Sequence, residues 1–146
     1  MVAPAFFTSL IAEYGTPQTL FDTLDAEFQF TLDVCASADN AKCSTYYNKE
    51  TDGLAQPWSG VCWMNPPYGK NIREWVEKAR DESRKGATVV CLLPARTNTR
   101  WWYEVVADAA EVRFIHPKLK FDGAQHVAPF PSAIVIFTPT PAKEQG

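Results

Sequence analysis

The residues of this chain best suited to chemistry lie together at Trp63-Met64-Asn65-Pro66-Pro67-Tyr68-Gly69. Two consecutive prolines lock φ and push each preceding residue toward an extended backbone, so the path of the turn is set before any ligand arrives. Neither proline has an N–H, which makes it easier for the Asn65 amide and the Pro66 carbonyl to face a ligand. Two acceptors side by side suit an exocyclic amine such as that of adenine. Such an amine carries two N–H donors and a lone pair delocalised into its ring, so it is a poor nucleophile. Holding both hydrogens on the Asn65 side-chain oxygen and the Pro66 carbonyl draws the lone pair toward sp³ character and aims it at an electrophile. Tyr68 offers a flat face for an unstacked base, worth about 1–3 kcal/mol per base in single-strand binders. The plain alternative is a tight turn, and four residues alone do not separate the two.

The elements that must hold this turn are legible around it. Val61 to Met64 reads as a short buried strand that delivers Asn65. After the turn, Ile72, Trp75, Val76 and Ala79 fall at helical spacing and predict a helix from about Ile72 to Lys85, with Glu74–Lys78 and Asp81–Lys85 as i,i+4 pairs and Gly86 as its stop. The continuous apolar run Ala87 to Leu93 predicts a central strand covered on both faces. A right-handed strand–helix–strand crossover results. Upstream, Thr16-Pro17 predicts a helix start with Thr16 as N-cap, followed by Leu20, Phe21, Leu24 and Phe28 as a core stripe. Phe30 to Val34 reads as another strand, ending in the small residues Cys35, Ala36 and Ser37. In doubly wound α/β proteins ligands sit beyond the carboxyl ends of strands, so Asp33 followed by small residues there suits a charged cofactor. Taken alone, Asp33 is equally a turn or cap residue.

Residues 38–60 read as loop, with Tyr46-Tyr47 in a short strand; Glu50 and Asp52 could accept hydrogen bonds from a cofactor, although carboxylates in an Asp-Gly turn usually only shape the turn. Pro94 to Arg100 forms a further loop beyond a strand end, leading into a helix from about Thr99 to Ala109. Glu111 to Ile115 is expected as a strand, Lys118 to Gly123 as a hairpin, and Ala133 to Phe137 as a last strand before a frayed tail.

The chain has 146 residues, 46% of them hydrophobic, enough for one core and too few for a second module. The expected division is an arm at 1–15, one domain at 16–138 and a flexible tail at 139–146. No apolar run approaches the ~18 residues of a membrane span, and the N-terminus lacks a secretory pattern, which predicts a cytoplasmic protein without membrane contact. Cys35, Cys43, Cys62 and Cys91 form no Cys-x-x-Cys, and His116 and His126 lie far from them in sequence, so neither metal nor disulfide is expected. The net charge of −3 is unevenly distributed. Residues 1–68 hold two bases and eight acids, whereas residues 69–120 hold eleven bases and seven acids. Positive charge on one face suits contact with phosphates, and Lys70, Arg73, Arg96, Arg100, Lys118 and Lys120 are the candidates for DNA. For the helix from Arg73 to Lys85, a solvated mixed-charge face is the simpler reading.

Asn65-Pro66-Pro67-Tyr68 resembles the (Asp/Asn)-Pro-Pro-(Tyr/Phe/Trp) motif of amino-group methyltransferases that use S-adenosylmethionine. Further blocks accompany it in order: Thr16-Pro17-Gln18-Thr19-Leu20-Phe21, Leu32-Asp33-Val34-Cys35-Ala36, Glu50-Thr51-Asp52-Gly53-Leu54, Leu92-Leu93-Pro94-Ala95-Arg96-Thr97 with Trp101-Trp102, and Ala128-Pro129-Phe130-Pro131-Ser132. Together they resemble the small phage-encoded DNA N-6-adenine methyltransferase (Dam) family over roughly residues 14–138. The resemblance implies an α/β fold, a single Rossmann-like domain with a mostly parallel central sheet and helices on both faces, and methyl transfer from S-adenosylmethionine to adenine in DNA. It makes Asn65, Pro66, Pro67 and Tyr68 the catalytic turn, and Thr16, Pro17, Asp33, Cys35 and Ala36 the cofactor side. Asp33 would meet the methionine ammonium, and Glu50 or Asp52 the ribose or adenine. The chain departs from such families in two ways, with Val34 where Asp-Pro-Cys-Ala has proline and with no glycine-rich Gly-x-Gly. It also shows no separate target-recognition domain, which leaves target choice to loops such as 94–100 and 116–131 or to a partner subunit. The residues leave a homo-oligomer open. They also leave open an RNA adenine or protein glutamine acceptor, and a noncatalytic DNA-binding relative.

Overall fold

The structure is a computed structural model and describes residues 15–139. The expected arm and tail therefore lie almost wholly outside the described residues. Gln18–Phe28 forms α1, with Phe21 and Leu24 buried. Pro17 occupies the N-cap position, and no side chain caps the helix. The expected cap by Thr16 is not made, because its hydroxyl is engaged elsewhere, as described below. The strand expected over 30–34 is trimmed to β1, Leu32–Asp33, although Thr31 and Val34 still donate to the neighbouring strand. A loop containing a 3₁₀ turn at Gly53–Ala55 leads to β2, Val61–Met64. Tyr46 makes only an isolated parallel bridge to Asp33.

The amphipathic stripe after the Asn-Pro-Pro turn forms α2, Ile72–Arg84, with Ile72, Trp75, Val76 and Ala79 buried. Its ion pairs differ from the expected ones. Lys78 and Lys85 both turn to the buried Glu82, at 3.5 and 3.2 Å, because Glu82 faces the loop before β2, where it accepts from the Trp58 backbone N–H at 2.7 Å. The apolar run becomes β3, Thr88–Pro94, buried from Val89 onward. The next helix, α3, is Arg100–Val105, and a 3₁₀ turn at Val106–Asp108 replaces its expected second half. Glu111–Ile115 forms β4 and Ser132–Phe137 forms β5. Between them, residues 116–131 contain no named strand, so in place of the expected hairpin at Lys118 to Gly123 there is a turn closed by Ala124 N–H donating to Phe121 O at 3.1 Å, and Ala128 N–H donates to Leu119 O at 2.7 Å.

One sheet has the order β1-β2-β3-β5-β4. The pairings β1–β2 and β2–β3 are parallel, and β3–β5 and β4–β5 antiparallel. The expected mostly parallel sheet is therefore mixed. The reason is one strand: β5 runs backwards and inserts between β3 and β4, pairing Ser132 with both Pro94 and Ile115. Those pairings bring the last residues of β3 and β4 to the same end of the sheet, where β1 and β2 also finish. The loops after β1, β2, β3 and β4 thus gather on one edge.

Strand alternation assigns the faces. Trp63 packs edge-on against Phe21 of α1 with ring centroids 5.5 Å apart. Its neighbour Cys62 points the other way, toward Glu82 of α2, and burial pushes its thiol up to about 12. Helices α1 and α2 accordingly cover opposite faces. At the far edge the same rule holds, since Arg113 of β4 pairs with Glu27 of α1 at 2.7 Å while Phe114 lies against Trp102 of α3, with centroids 6.2 Å apart. All four cysteines are free thiols.

Candidate active site

A cavity of about 810 Å³ opens beyond the carboxyl ends of β1 and β2. Its size falls within the range of about 300–1,000 Å³ usual for small-molecule sites. Asp33 and Trp63 are register partners in the β1–β2 pair, so the residues following them, Val34 to Ala36 and Asn65 to Pro67, emerge side by side into its wall. Of the residues expected on the cofactor side, Thr16, Asp33, Cys35, Ala36, Glu50 and Asp52 line the cavity, and Pro17 does not. Of the residues expected to be catalytic, Asn65, Pro66 and Pro67 line it, and Tyr68 does not.

Asp33 is 2% exposed. Its Oδ1 accepts from the Cys35 backbone N–H at 3.2 Å and its Oδ2 from that of Lys42 at 3.0 Å. Burial pushes its pKa up to about 6, against the opposing pull of those two N–H groups and of the Lys42 charge. The carboxylate therefore has both roles in one place: it shapes the loop after β1, and it leaves a poorly solvated negative charge in a cavity wall. Such a charge is relieved by a cation.

Beside Asp33, at the end of the neighbouring strand, Asn65 Nδ2 donates to Thr16 Oγ1 at 2.9 Å. Thr16 is 4% exposed. It is held there from outside the helix, since Gly15 bridges Asp122 and accepts from its backbone N–H at 3.0 Å. The N-terminal end of the described chain is thus laid onto the 116–131 segment, and this brings Thr16 to the Asn-Pro-Pro turn.

Tyr68 departs from its expected role. It is 6% exposed, donates to the Leu92 backbone carbonyl at 3.0 Å, and meets Phe121 and Phe130 at centroid distances of 6.2 and 5.8 Å, both edge-on. The ring ties the Asn-Pro-Pro turn to β3 and to the 116–131 segment and, in this structure, does not present a face to the cavity.

The floor of the cavity includes Trp75, which the sequence marks as the buried face of a helix and not as a site residue. Trp75 of α2 lines it and stacks on Trp58 at 6.2 Å, while Trp58 Nε1 donates to Gly53 O at 2.8 Å. Gly53 is required by close approach: a Cβ there would lie 2.2 Å from Val34 O and 3.2 Å from the Trp75 ring. Asp52 adopts φ 55 and accepts from Leu54 N–H at 3.2 Å, which turns the chain under the indole. Lys42 and Lys49 also line the cavity, and Lys42 Nζ donates to Gln18 Oε1 at 2.7 Å.

The basic candidates divide. Lys70, Arg96, Lys118 and Lys120 are exposed and lie in the loops that gather on the carboxyl edge of the sheet, with Arg96 set over the Phe130 ring at 5.7 Å. Arg73 instead pairs with Glu77 at 2.9 Å and with Glu104, which joins α2 to α3. Arg100 is exposed and lies 3.7 Å from Glu104. Among the described residues no His, Cys, Asp and Glu side chains cluster as a metal site, and no helix is long and apolar enough to cross a membrane.

An α/β sheet with its cavity beyond the carboxyl ends of adjacent parallel strands has the general build of a cofactor-binding enzyme domain. The particular kind is shown by comparison: the family described as DNA N-6-adenine-methyltransferase (Dam) matches residues 9–140, and the chain belongs to it. It is similar to the DNA N-6-adenine-methyltransferase of Escherichia phage T1, 31% identical over 112 residues that cover 75% of this chain and 47% of the phage protein. It is also similar to the protein of the same description from Haemophilus phage HP1, 31% identical over 105 residues covering 70% of this chain and 61% of that one. The chain thus spans about half to three-fifths of the length of these relatives.

Proposed function

We propose that this chain transfers a methyl group from S-adenosylmethionine to the N-6 amine of adenine in DNA, through a single Rossmann-like domain. The observation that carries the reading is the convergence of Asp33, Asn65 and Pro66 on one cavity from adjacent parallel strands. Family membership and the phage relatives support the same reaction.

The residues present fit the cofactor. Asp33 is a buried carboxylate suited to the methionine ammonium, Cys35 and Ala36 leave room beside it, and the Trp75 ring forms an apolar wall. Glu50 and Asp52 stand on the same wall as acceptors for ribose or adenine groups. When bound, S-adenosylmethionine supplies an electrophilic methyl. The protein contributes position: Asn65 Oδ1 and Pro66 O hold the two amine hydrogens, and the stiff Pro66-Pro67 backbone keeps these acceptors in place. Tyr68 acts by anchoring the turn to β3. An adenine within a duplex cannot reach the cavity, so the base is flipped out, at a cost of a few kcal/mol, or taken from a single strand. Lys70, Arg96, Lys118 and Lys120 are suited to hold phosphates around the entrance.

The test offers labelled methyl donor with unmethylated DNA, RNA and protein in competition. Label in N-6-methyladenine of DNA is expected; label confined to RNA or protein would overturn the acceptor assignment.

A further inference from the structure

We infer that Lys42 holds the α-carboxylate of the methyl donor, so that Asp33 and Lys42 together match both charges of its amino-acid end. The inference rests on the proposed methyl transfer and adds the anchor that fixes which way the donor lies in the cavity.

An α-amino acid carries its ammonium and its carboxylate on one carbon, so a site that takes the first must find a place close by for the second. Asp33 suits the ammonium. The loop after β1 forms the wall around it, and the backbone of that loop is already engaged. The N–H groups of Cys35 and Lys42 donate to Asp33, that of Ala36 to Tyr47 O, that of Ser37 to Asn40 Oδ1, and those of Asn40 and Ala41 to Ser37 O. An anion in this corner must therefore be met by side chains, and a carboxylate bonds most strongly to a cation.

Among the described residues, two side-chain cations line the cavity, Lys42 and Lys49. Lys49 is exposed and adjoins Glu50, on the wall suited to ribose and adenine. Lys42 is half-buried, and its backbone N–H meets Asp33 Oδ2 at 3.0 Å, so its side chain starts beside the carboxylate that would take the ammonium. Its charge acts on Asp33 without an ion pair forming between them. Opposite charges held apart in this way suit a zwitterion that carries the reverse pair. The ammonium of Lys42 is placed from α1: Nζ donates to Gln18 Oε1 at 2.7 Å, and Gln18 Nε2 donates to Asp22 Oδ1 at 2.8 Å. An ammonium only donates and an ionised carboxylate only accepts, so this chain of bonds runs one way. Gln18, being neutral, holds Nζ without neutralising it.

The test is calorimetric titration of native protein, Lys42→Met and Asp33→Asn with S-adenosylmethionine and with its decarboxylated analogue, in which hydrogen replaces the α-carboxylate. Native protein should bind the intact donor about 10- to 100-fold more tightly than the analogue, the range of a hydrogen bond between charged groups. In Lys42→Met that preference should disappear: affinity for the intact donor falls by the same factor, while affinity for the analogue, which carries only positive charge, holds or rises. Retained binding of the analogue also shows that the cavity of the variant is intact. Asp33→Asn should weaken both ligands. Native protein with no preference for the intact donor, or a Lys42→Met variant that weakens both ligands alike, would overturn the assignment, as would loss of the preference in Lys49→Met and not in Lys42→Met. A native protein that binds neither ligand would overturn the methyl-transfer reading itself.

Discussion

The Tyr68 hydroxyl donates to the Leu92 carbonyl oxygen at 3.0 Å, which fastens the turn after β2 to the backbone of β3. With Phe121 and Phe130 edge-on against its ring, Tyr68 pins the Asn-Pro-Pro turn in the structure. Tyr68→Phe keeps the ring and loses the hydrogen bond, for about 1 kcal/mol of stability. Tyr68→Ala removes the ring as well and should cost about 3–5 kcal/mol. Urea unfolding curves measure both. Methyl transfer should survive largely intact in Tyr68→Phe.

The raised pKa of Asp33 gives a signed pH dependence. Its folded value of about 6 exceeds the ordinary 3.8, so the fold favours the neutral acid. That contribution to stability is fully present below about 3.8 and is lost as pH rises through about 6. A bound cation reverses the preference, because only the carboxylate attracts it. Affinity for S-adenosylmethionine is therefore expected to be flat above about pH 6 and to fall by up to about tenfold per unit below it. Calorimetric titration between pH 4.5 and 8 measures this. Asp33→Asn should bind weakly with no such slope, and a slope that persists in the variant would assign the titration to another group.

Gly53→Ala tests the cavity floor. The added Cβ cannot sit 2.2 Å from Val34 O, so the loop must move away from the Trp75 ring. A loss of about 1–3 kcal/mol is expected, together with weakened cofactor binding. Thermal melting with and without S-adenosylmethionine should show a lower midpoint and a smaller shift on adding cofactor.

The basic residues separate by salt titration of DNA binding. Lys70→Ala and Arg96→Ala should each weaken binding for all sequences and reduce the slope of log affinity against log salt by about 1. Arg73→Ala should lower the melting temperature slightly and leave that slope unchanged, because its guanidinium joins α2 to α3 through Glu77 and Glu104. Fluorescence anisotropy with one duplex and one single strand reads both effects.

What the sequence made legible is what short-range physics decides. Two prolines determine their own turn, and the apolar runs at 61–64 and 87–93 declare strands, found at 61–64 and 88–94, whose ends deliver Asn65 and Arg96. Asp33 followed by small residues marks a strand end, and the cavity is found there. Contacts across the chain were not legible. Tyr68 reads as an exposed stacking face because the rings that cover it come from residues 121 and 130. Arg73 stands among the candidate phosphate contacts, beside the simpler reading of a mixed-charge helix face, and its actual partner Glu104 lies 31 residues further on. Thr16-Pro17 carries a strong helix-start pattern, yet the hydroxyl goes to Asn65, 49 residues away. The reversal of β5 depends on how residues 116–131 cross the sheet end, and an apolar run alone carries no direction.

The central claim is most directly tested by methyl transfer to unmethylated DNA with native protein and Asn65→Ala, with cofactor affinity measured in parallel. Incorporation into adenine that drops by about 100-fold or more in the variant, while S-adenosylmethionine still binds, is the predicted result. Equal incorporation by both proteins would contradict it, and would remove Asn65 from the chemistry of this site.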